Sequence, residues 1–439
     1  MKTKTKKGKS GFIKSAVTIA TGGFIAKLIG ALYRIPLTNL IGGKGIGLYQ
    51  LVYPVYCLLL TVSATGIPSS IAKLVAEKIG KNQSPQSVFK TAMKLFLSVG
   101  FVGSVLMAVF APVLANAQGS KSVVAGYYAL APSVLLVSAI SVFRGYFQGK
   151  NDMIPTALSE ITEQLVKVAL GLIFAYIYRE RIERAVVFLL LAVSVSELFA
   201  LCLMWLLYKR DKPIQPRGAG VRIKTVLRLS IPVTLSAILI PVSSLVDSVL
   251  AVRFMRVYAE NAVTLYGLFS GGAVTIINLP VSVCYGLAAA SIPAVAKAKA
   301  EQKGVRKKVF FALGITALVA LPAAVGLYLF ANPAVKIVFR SLSDNEREIL
   351  VLLVKSFSIS AFTLSCAQTL SACLTAQGKP QYAAFSMAVG VVVKTVCYTL
   401  WLKNPSISIF GLARATNLCY LVAFLLNLLY NLTGSRKRA

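Results

Sequence analysis

The sequence predicts an all-α, polytopic membrane protein of about twelve transmembrane helices in two pseudo-symmetric six-helix lobes. Hydrophobic residues make up 57% of the 439 residues and charged residues only 14%, whereas about a quarter of a soluble protein is charged. The mean hydropathy is +0.75, and apolar runs long enough to cross a bilayer recur from end to end. A polar linker near the midpoint separates six of these runs from six others, which predicts the two lobes.

The predicted N-terminal lobe spans residues 1–208. Its first apolar run follows the basic stretch MKTKTKKGKS, and no small-residue cleavage site comes after that run. We therefore predict a retained membrane helix and not a signal peptide. Short loops containing Gly, Pro, Asn or Lys separate the later runs. The predicted helices are 12–33, 47–67, 93–115, 123–146, 153–178 and 185–208.

The predicted C-terminal lobe spans residues 226–439 and ends in a basic tail, GSRKRA. It follows the longest polar segment of the chain, residues 209–225, which carries Pro, Gly and six Lys or Arg. We predict that this segment is a cytoplasmic linker between the lobes. The predicted helices are 226–252, 263–293, 309–331, 349–377, 381–402 and 406–431.

Three matches in the same order indicate that the lobes are a parallel repeat. LYQLVYP in helix 2 matches LYGLF in helix 8, and FQGKNDMIP after helix 4 matches TAQGKPQY after helix 10. Lys167 then follows Gly149 by 18 residues, and Lys394 follows Gly378 by 16. Parallel repeats enclose a central substrate cavity and work by rocking one lobe against the other.

Charge and composition exclude several classes of protein. Of the Lys and Arg residues, 28 fall in the predicted cytoplasmic segments and 12 in the opposite loops, so the positive-inside rule places both termini in the cytoplasm. The net charge of +33 therefore needs no nucleic-acid partner.

There is no His, and we find no P-loop, nucleophile elbow or metal-ligand cluster. We predict no enzyme activity, no cofactor and no bound metal, and the seven Cys are interpreted as core residues.

Two cations stand in the first apolar helix, in GFIAKLIGALYRIPLTNLIG. Lys27 and Arg34 are seven residues apart, almost two helical turns, and a cation at the centre of a membrane helix costs about 2.5–3.5 kcal/mol. Arg34 stands near the helix end, where it can snorkel to the headgroups. Alternatively, both cations line a water-filled cavity and attract phosphate groups, with Lys27 the deeper of the two.

Further charges lie within the apolar runs. Glu160, Glu163 and Lys167 share one stripe of helix 5, either as a self-neutralised structural cluster or as an anion site with a coupling carboxylate. Glu197 is alone in helix 6 and has a cation of helix 1 or 5 as its expected partner. In the C-terminal lobe, Asp247 of helix 7 has three alternative roles, which are to couple a cation, to gate the lobe or to form a structural ion pair. Lys394 is the residue of this lobe that corresponds to Lys167.

The stretch IAKLIGALYRIPLTNLIGGKGIGLYQLVYPVYCLLLTVSATGIPSSIAKLVAE resembles the opening of the stage V sporulation protein B group. That group belongs to the multidrug/oligosaccharidyl-lipid/polysaccharide (MOP) exporter superfamily, which includes the lipid II flippases. VDSVLAVRF, INLPVSVCYGLAAASIPAVAKA and FRGYFQGKNDMIPTALSEI are similar to the group's patterns in helices 7, 8 and 4–5. The resemblance implies that Lys27 and Arg34 contact the diphosphate of a lipid-linked sugar. One departure is GGAVTIINLP in helix 8, which lacks the cation of the better-known lipid II flippases.

The sequence therefore predicts a flippase of the bacterial plasma membrane that moves a polyprenyl-diphosphate-linked oligosaccharide or peptidoglycan precursor to the outer leaflet. Lys27, Arg34, Lys167 and Lys394 are the predicted diphosphate contacts. The predicted residues for cation coupling or gating are Asp247, Glu160, Glu163 and Glu197. The expected partners are the lipid-linked sugar, membrane lipids and proteins of cell-wall synthesis. The rival functions are a sodium- or proton-coupled drug or metabolite antiporter and a non-transporting scaffold.

Overall fold

The computed structural model describes residues 2–211, 222–302 and 304–433, which are predominantly helical and contain no strand. A bilayer offers no hydrogen-bond partners, so an apolar segment satisfies its backbone internally by forming a helix. The all-α fold class is thereby confirmed. In chain order the helices are α1 Lys2–Leu60, α2 Ile67–Gly80, α3 Gln86–Val109, α4 Ala111–Ala117, α5 Val124–Gly149, α6 Ile154–Ile177, α7 Ile182–Arg210, α8 Ile223–Ala237, α9 Leu239–Met255, α10 Ala262–Gly267, α11 Val274–Ala300, α12 Val305–Leu329, α13 Ala331–Val338, α14 Asp344–Phe357, α15 Ile359–Ala376, α16 Pro380–Trp401 and α17 Phe410–Thr433.

Nine helical spans within the described ranges are long and apolar enough to cross a membrane. Three local features account for the difference from the twelve predicted helices. The first two predicted helices run together as α1, and α6 carries three charges inside its apolar run. The seventh predicted helix is divided into α8 and α9 at Ile238. The twelve predicted segments nevertheless all fall on helical backbone where the structure describes them.

Gly42 kinks the chain between the first two predicted helices. Its φ of 66° and ψ of −175° lie in a region that only glycine adopts readily. The predicted loop between these helices is thereby reduced to a single residue.

Two π-helical segments interrupt the helices that carry the repeat motifs. Thr61–Thr65 joins α1 to α2, and Leu268–Ala273 joins α10 to α11. π-helical segments are rare and are frequently found at functional sites. The second contains Gly271 and Gly272, the pair of glycines that stands within predicted helix 8.

Packing divides the chain into two compact units. Unit 1 comprises Met1–Tyr33 and Val52–Pro241, and unit 2 comprises Arg34–Leu51 and Val242–Ala439. The lobe boundaries expected from the sequence, with a linker at 209–225, stay a prediction. Residues 212–221 of that linker and the basic tail from residue 434 lie outside the described residues.

The two units repeat one pattern of helix packing. In unit 1, α5 packs against α2, α3 and α7, and α6 packs against α7. In unit 2, α15 packs against α11, α12 and α17, and α16 packs against α17. Because these helices correspond in chain order, the pattern supports the parallel repeat read from the sequence.

Each unit has an apolar interior of its own. In unit 1 the rings of Phe89, Phe143, Tyr146 and Tyr208 stack or meet edge to face where α3, α5 and α7 converge. In unit 2 a cluster that includes Val309, Ala312, Leu370 and Cys373 is buried where α12 and α15 meet. All seven cysteines are free thiols. Four of them, Cys284, Cys366, Cys373 and Cys419, are buried as expected for core residues, whereas Cys57 and Cys397 are half-buried and Cys202 is exposed.

Candidate functional site

The charged stripe of α6 has a partner on α5. The Arg144 guanidinium lies 3.2 Å from Glu163, measured from Nη2 to Oε2, and its Nε donates to Ser159 Oγ at 2.9 Å. Glu160 and Lys167 are half-buried and also interact with neighbouring groups. Glu163 on α6 is therefore neutralised by an arginine near the end of α5, within unit 1.

The backbone of Lys27 belongs to α1, and its side chain lies outside the described part of the structure. Gly30 follows it by less than one helical turn and packs against α6, where an added Cβ would stand 3.1 Å from Gln164 Oε1. The α1 backbone near Lys27 therefore runs beside the charged stripe of α6. The diphosphate contact assigned to Lys27 stays a prediction.

Glu197 of α7 is completely buried in unit 1. The hydroxyl of Tyr56 donates a hydrogen bond to its Oε1. A cation of helix 1 or 5 was the expected partner, but no described Lys or Arg nitrogen lies within 4.0 Å of this carboxyl. Sequence periodicity could not reveal Tyr56, because it stands 141 residues away on a different helix.

In unit 2 the structure brings Asp247 and Lys394 together. Lys394 Nζ of α16 lies 2.6 Å from Asp247 Oδ2 of α9 and donates to Ser243 Oγ at 2.7 Å. Tyr398, one turn after Lys394, is completely buried beside Asp247. The acid predicted to couple or gate and the lysine predicted to bind diphosphate thus form one buried ion pair in this conformation.

Arg34 lies in the part of α1 that belongs to unit 2. Its Nη1 donates to Thr275 Oγ1 of α11 at 3.3 Å, and Thr275 is almost completely buried. Thr275 stands in GGAVTIINLP, the segment whose missing cation separates this chain from the better-known lipid II flippases. A neutral hydroxyl therefore orients the guanidinium there.

The charge of Arg34 is more available than that of Lys394. No described carboxylate lies within 4.0 Å of Arg34, whereas Lys394 is paired with Asp247. A guanidinium presents five N–H donors in a planar fork that matches phosphate oxygens. The arrangement can bind an anion, and no group of three His, Cys, Asp or Glu able to hold a metal occurs in the described ranges.

These features define a polytopic, helical membrane protein with a repeated pattern of helix packing. Residues 12–299 match the family model described as "Polysaccharide biosynthesis protein". Because the match covers more than half of the chain, this protein belongs to the polysaccharide biosynthesis protein family.

Two curated proteins of Bacillus subtilis (strain 168) are similar to this chain over most of its length. Stage V sporulation protein B is 26% identical over 424 residues, which cover 93% of this chain and 81% of that protein. Lipid II flippase MurJ is 22% identical over 449 residues, which cover 95% of this chain and 81% of that protein.

Solved structures show the same fold. An inward-facing MATE-family multidrug resistance transporter of the MOP superfamily matches with a TM-score of 0.78, at 17% identity, over 93% of this chain and 94% of that one. The inward closed conformation of lipid II flippase MurJ matches with a TM-score of 0.74, at 14% identity, over 94% of this chain and 87% of that one. These structures confirm the helical membrane fold that the sequence predicts.

Proposed function

We propose that this protein is a flippase that moves a polyprenyl-diphosphate-linked oligosaccharide or peptidoglycan precursor from the inner to the outer leaflet by alternating access. The polyprenyl tail stays in the lipid while the diphosphate and sugar cross the membrane. No bond is made or broken, so the task of the protein is to stabilise an anionic headgroup inside an apolar medium.

The observation that carries this proposal is the Arg34 guanidinium. It is half-buried in an apolar helix, hydrogen-bonded to Thr275, and not neutralised by any described acid. A cation in that setting is costly unless an anion or water compensates it. A diphosphate supplies the compensating charge and also matches the planar donor fork.

The related proteins support the same substrate class. The family is described by polysaccharide biosynthesis, and one relative is named a lipid II flippase. The MATE neighbour supports the fold alone, because it is only 17% identical.

The remaining cations extend this assignment. Lys27 and Lys167 are proposed diphosphate contacts in unit 1. Lys394 can contact diphosphate only in a conformation in which its 2.6 Å pair with Asp247 has opened. Asp247 is then the natural gate of that site, and Glu160, Glu163 and Glu197 are proposed for coupling or gating in unit 1.

The proposed location is the bacterial plasma membrane, with both termini in the cytoplasm as the loop charges indicate. Membrane lipids surround the helices, and proteins of cell-wall synthesis are the proposed sources and acceptors of the substrate. No step requires a cofactor or makes the protein an enzyme.

Reconstitution into liposomes tests the proposal. One set of vesicles contains a labelled polyprenyl-diphosphate sugar, and a matched set contains the same sugar on an uncharged polyprenol. We expect leaflet exchange of the diphosphate lipid and none of the neutral one. Equal exchange of both lipids, or no exchange together with cation-coupled dye efflux, would contradict the proposal, and the second result would favour the antiporter.

A further inference from the structure

The buried carboxyl of Glu197 has an asymmetric set of hydrogen-bonding neighbours. Tyr56 donates its hydroxyl proton to Oε1. The other oxygen, Oε2, is buried and accepts no hydrogen bond from the described residues. The side chain of Ser133 on α5 interacts with the same carboxyl.

The direction of the neighbouring hydrogen bonds fixes what Ser133 can offer. Ser194 donates its only hydroxyl proton to the Ala129 carbonyl at 2.7 Å. The Ser133 and Ser194 hydroxyls lie 2.9 Å apart, so Ser133 must be the donor in that bond. Ser133 therefore has no proton left for Glu197 and can only accept one from it.

The charges that face Glu197 are of both signs, and none of the described cations is close to it. From α6 it faces Glu163 and Lys167, and from α1 it faces Tyr56, with Tyr53 against that ring. Glu163 is already paired with Arg144 at 3.2 Å. Burying a carboxylate without a close cation costs several kcal/mol, which a neutral carboxylic acid avoids.

The buried acid of unit 2, unlike Glu197, has a cationic partner. Asp247 has an ammonium group at 2.6 Å supplied by Lys394, so it can stay ionised. Glu197 has no such neighbour among the described side chains; Tyr56 donates to its Oε1, and its Oε2 has no partner there. A single donor suits the C=O of a protonated carboxyl, whereas an ionised carboxylate would leave a charged oxygen buried and unpaired.

We propose that Glu197 and Tyr56 form a proton-binding site inside unit 1. The carboxyl holds its proton on Oε2 at neutral pH, while Oε1 accepts the hydrogen bond from Tyr56. Release of the proton requires a rearrangement of unit 1 that admits water or a cation, which links proton release to the movement of this unit.

Infrared spectroscopy of the full-length protein in lipid nanodiscs tests the site without any transport assay. The chain has only 14 Asp and Glu residues, so individual carboxyl groups can be assigned by substitution. At pH 7 we expect a carbonyl-stretch band of a protonated carboxylic acid that disappears in Glu197→Gln. The matched control, Glu163→Gln, removes a salt-bridged carboxylate and should leave the band in place.

A second variant keeps the carboxyl and changes only its donor. Tyr56→Phe removes the hydrogen bond to Oε1, so the band should move to higher frequency. An absent band in the wild-type protein at pH 7, a band unchanged by Glu197→Gln, or a band unmoved by Tyr56→Phe would each overturn the proposal. Because no result depends on lipid exchange, failure here is distinguishable from failure of the proposed flippase function.

Discussion

Asp247 and Lys394 form a buried ion pair whose two halves depend on each other. Lys394 Nζ lies 2.6 Å from Asp247 Oδ2, and both side chains are largely buried. Removing one partner of such a pair leaves an uncompensated charge and costs about 3–5 kcal/mol. We therefore expect Lys394→Met and Asp247→Asn each to lower the free energy of unfolding by roughly that amount, as measured by denaturant unfolding in detergent.

The double variant separates pairing from side-chain loss. Lys394→Met combined with Asp247→Asn removes both charges, so much of the lost stability should return, and a double-mutant cycle measures the coupling. If the two single variants unfold like the wild type, or if their effects simply add, the pair does not contribute as the geometry indicates.

Thr275 positions the guanidinium of Arg34 through one hydrogen bond of 3.3 Å. A hydrogen bond of this kind contributes about 0.5–1.5 kcal/mol, which corresponds to roughly two- to tenfold in affinity. We expect Thr275→Val to raise the KM for lipid exchange by that factor, because the donor fork loses its orientation. Thr275→Ser keeps the hydroxyl and should exchange lipid like the wild type, and a Ser variant as impaired as Val would contradict this role.

At the scale of residues, the sequence identified the charges within the apolar helices but did not identify the side chains that contact them. Glu163, Glu197 and Asp247 could be found because a charge inside an apolar run is conspicuous. Arg144 and Tyr56 could not be assigned to them, since tertiary packing alone brings residues of different helices together. The side chain of Lys27 lies outside the described residues, so its role rests on the sequence motif.

At the scale of helices, two glycines allow a close approach between α1 and α10 within unit 2. A Cβ added at Gly47 would stand 2.9 Å from the carbonyl carbon of Val263, and one at Gly267 would stand 2.7 Å from the Cα of Gly47. Neither backbone can move aside as a flexible side chain could. We expect Gly47→Ala to cost about 1–3 kcal/mol of stability, measured by thermal unfolding in detergent.

Gly314 of α12 is the matched control for that substitution. Nothing lies within 4 Å of the Cβ that alanine would add there, and alanine is the better helix former by about 1 kcal/mol. Gly314→Ala should therefore leave the melting temperature unchanged or raise it. A Gly47 variant as stable as the Gly314 variant would show that α1 and α10 are not closely packed.

Helix positions followed from apolar runs, but interruptions within helices did not. All twelve predicted segments fall on helical backbone because burial in lipid demands internal hydrogen bonding. The π-helical segment at Thr61–Thr65 has no counterpart in hydropathy, since it changes the hydrogen-bond register without changing which residues are apolar. The break at Ile238 likewise depends on packing.

At the scale of the whole molecule, the loop charges predict which face of the membrane each loop occupies. Asn82 lies in a basic loop predicted to be cytoplasmic, and Asn345 lies in a loop predicted to be outside; both are exposed. In a background with the native cysteines replaced, a membrane-impermeant maleimide added to intact cells should label Asn345→Cys and not Asn82→Cys. Labelling of Asn82→Cys before permeabilisation would reverse the predicted orientation.

The repeated architecture was also accessible from the sequence, through three short matches in the same order. The structure adds the shared packing pattern around α5 and α15. Short sequence motifs do not predict such a pattern, because it depends on contacts between distant helices. The composition of the units was not predictable, because residues 34–51 join unit 2 although they are continuous in sequence with the helices of unit 1.

The central claim is that Arg34 binds the diphosphate of a lipid-linked sugar, and leaflet exchange by Arg34→Ala tests it most directly. The control is Arg414→Ala, which removes an exposed arginine of α17. Loss of a charged hydrogen-bonding contact of about 1.5–3 kcal/mol predicts that Arg34→Ala exchanges the labelled diphosphate lipid roughly ten- to a hundredfold more slowly. Arg414→Ala should match the wild type. Wild-type exchange by a correctly folded Arg34→Ala protein would contradict the claim.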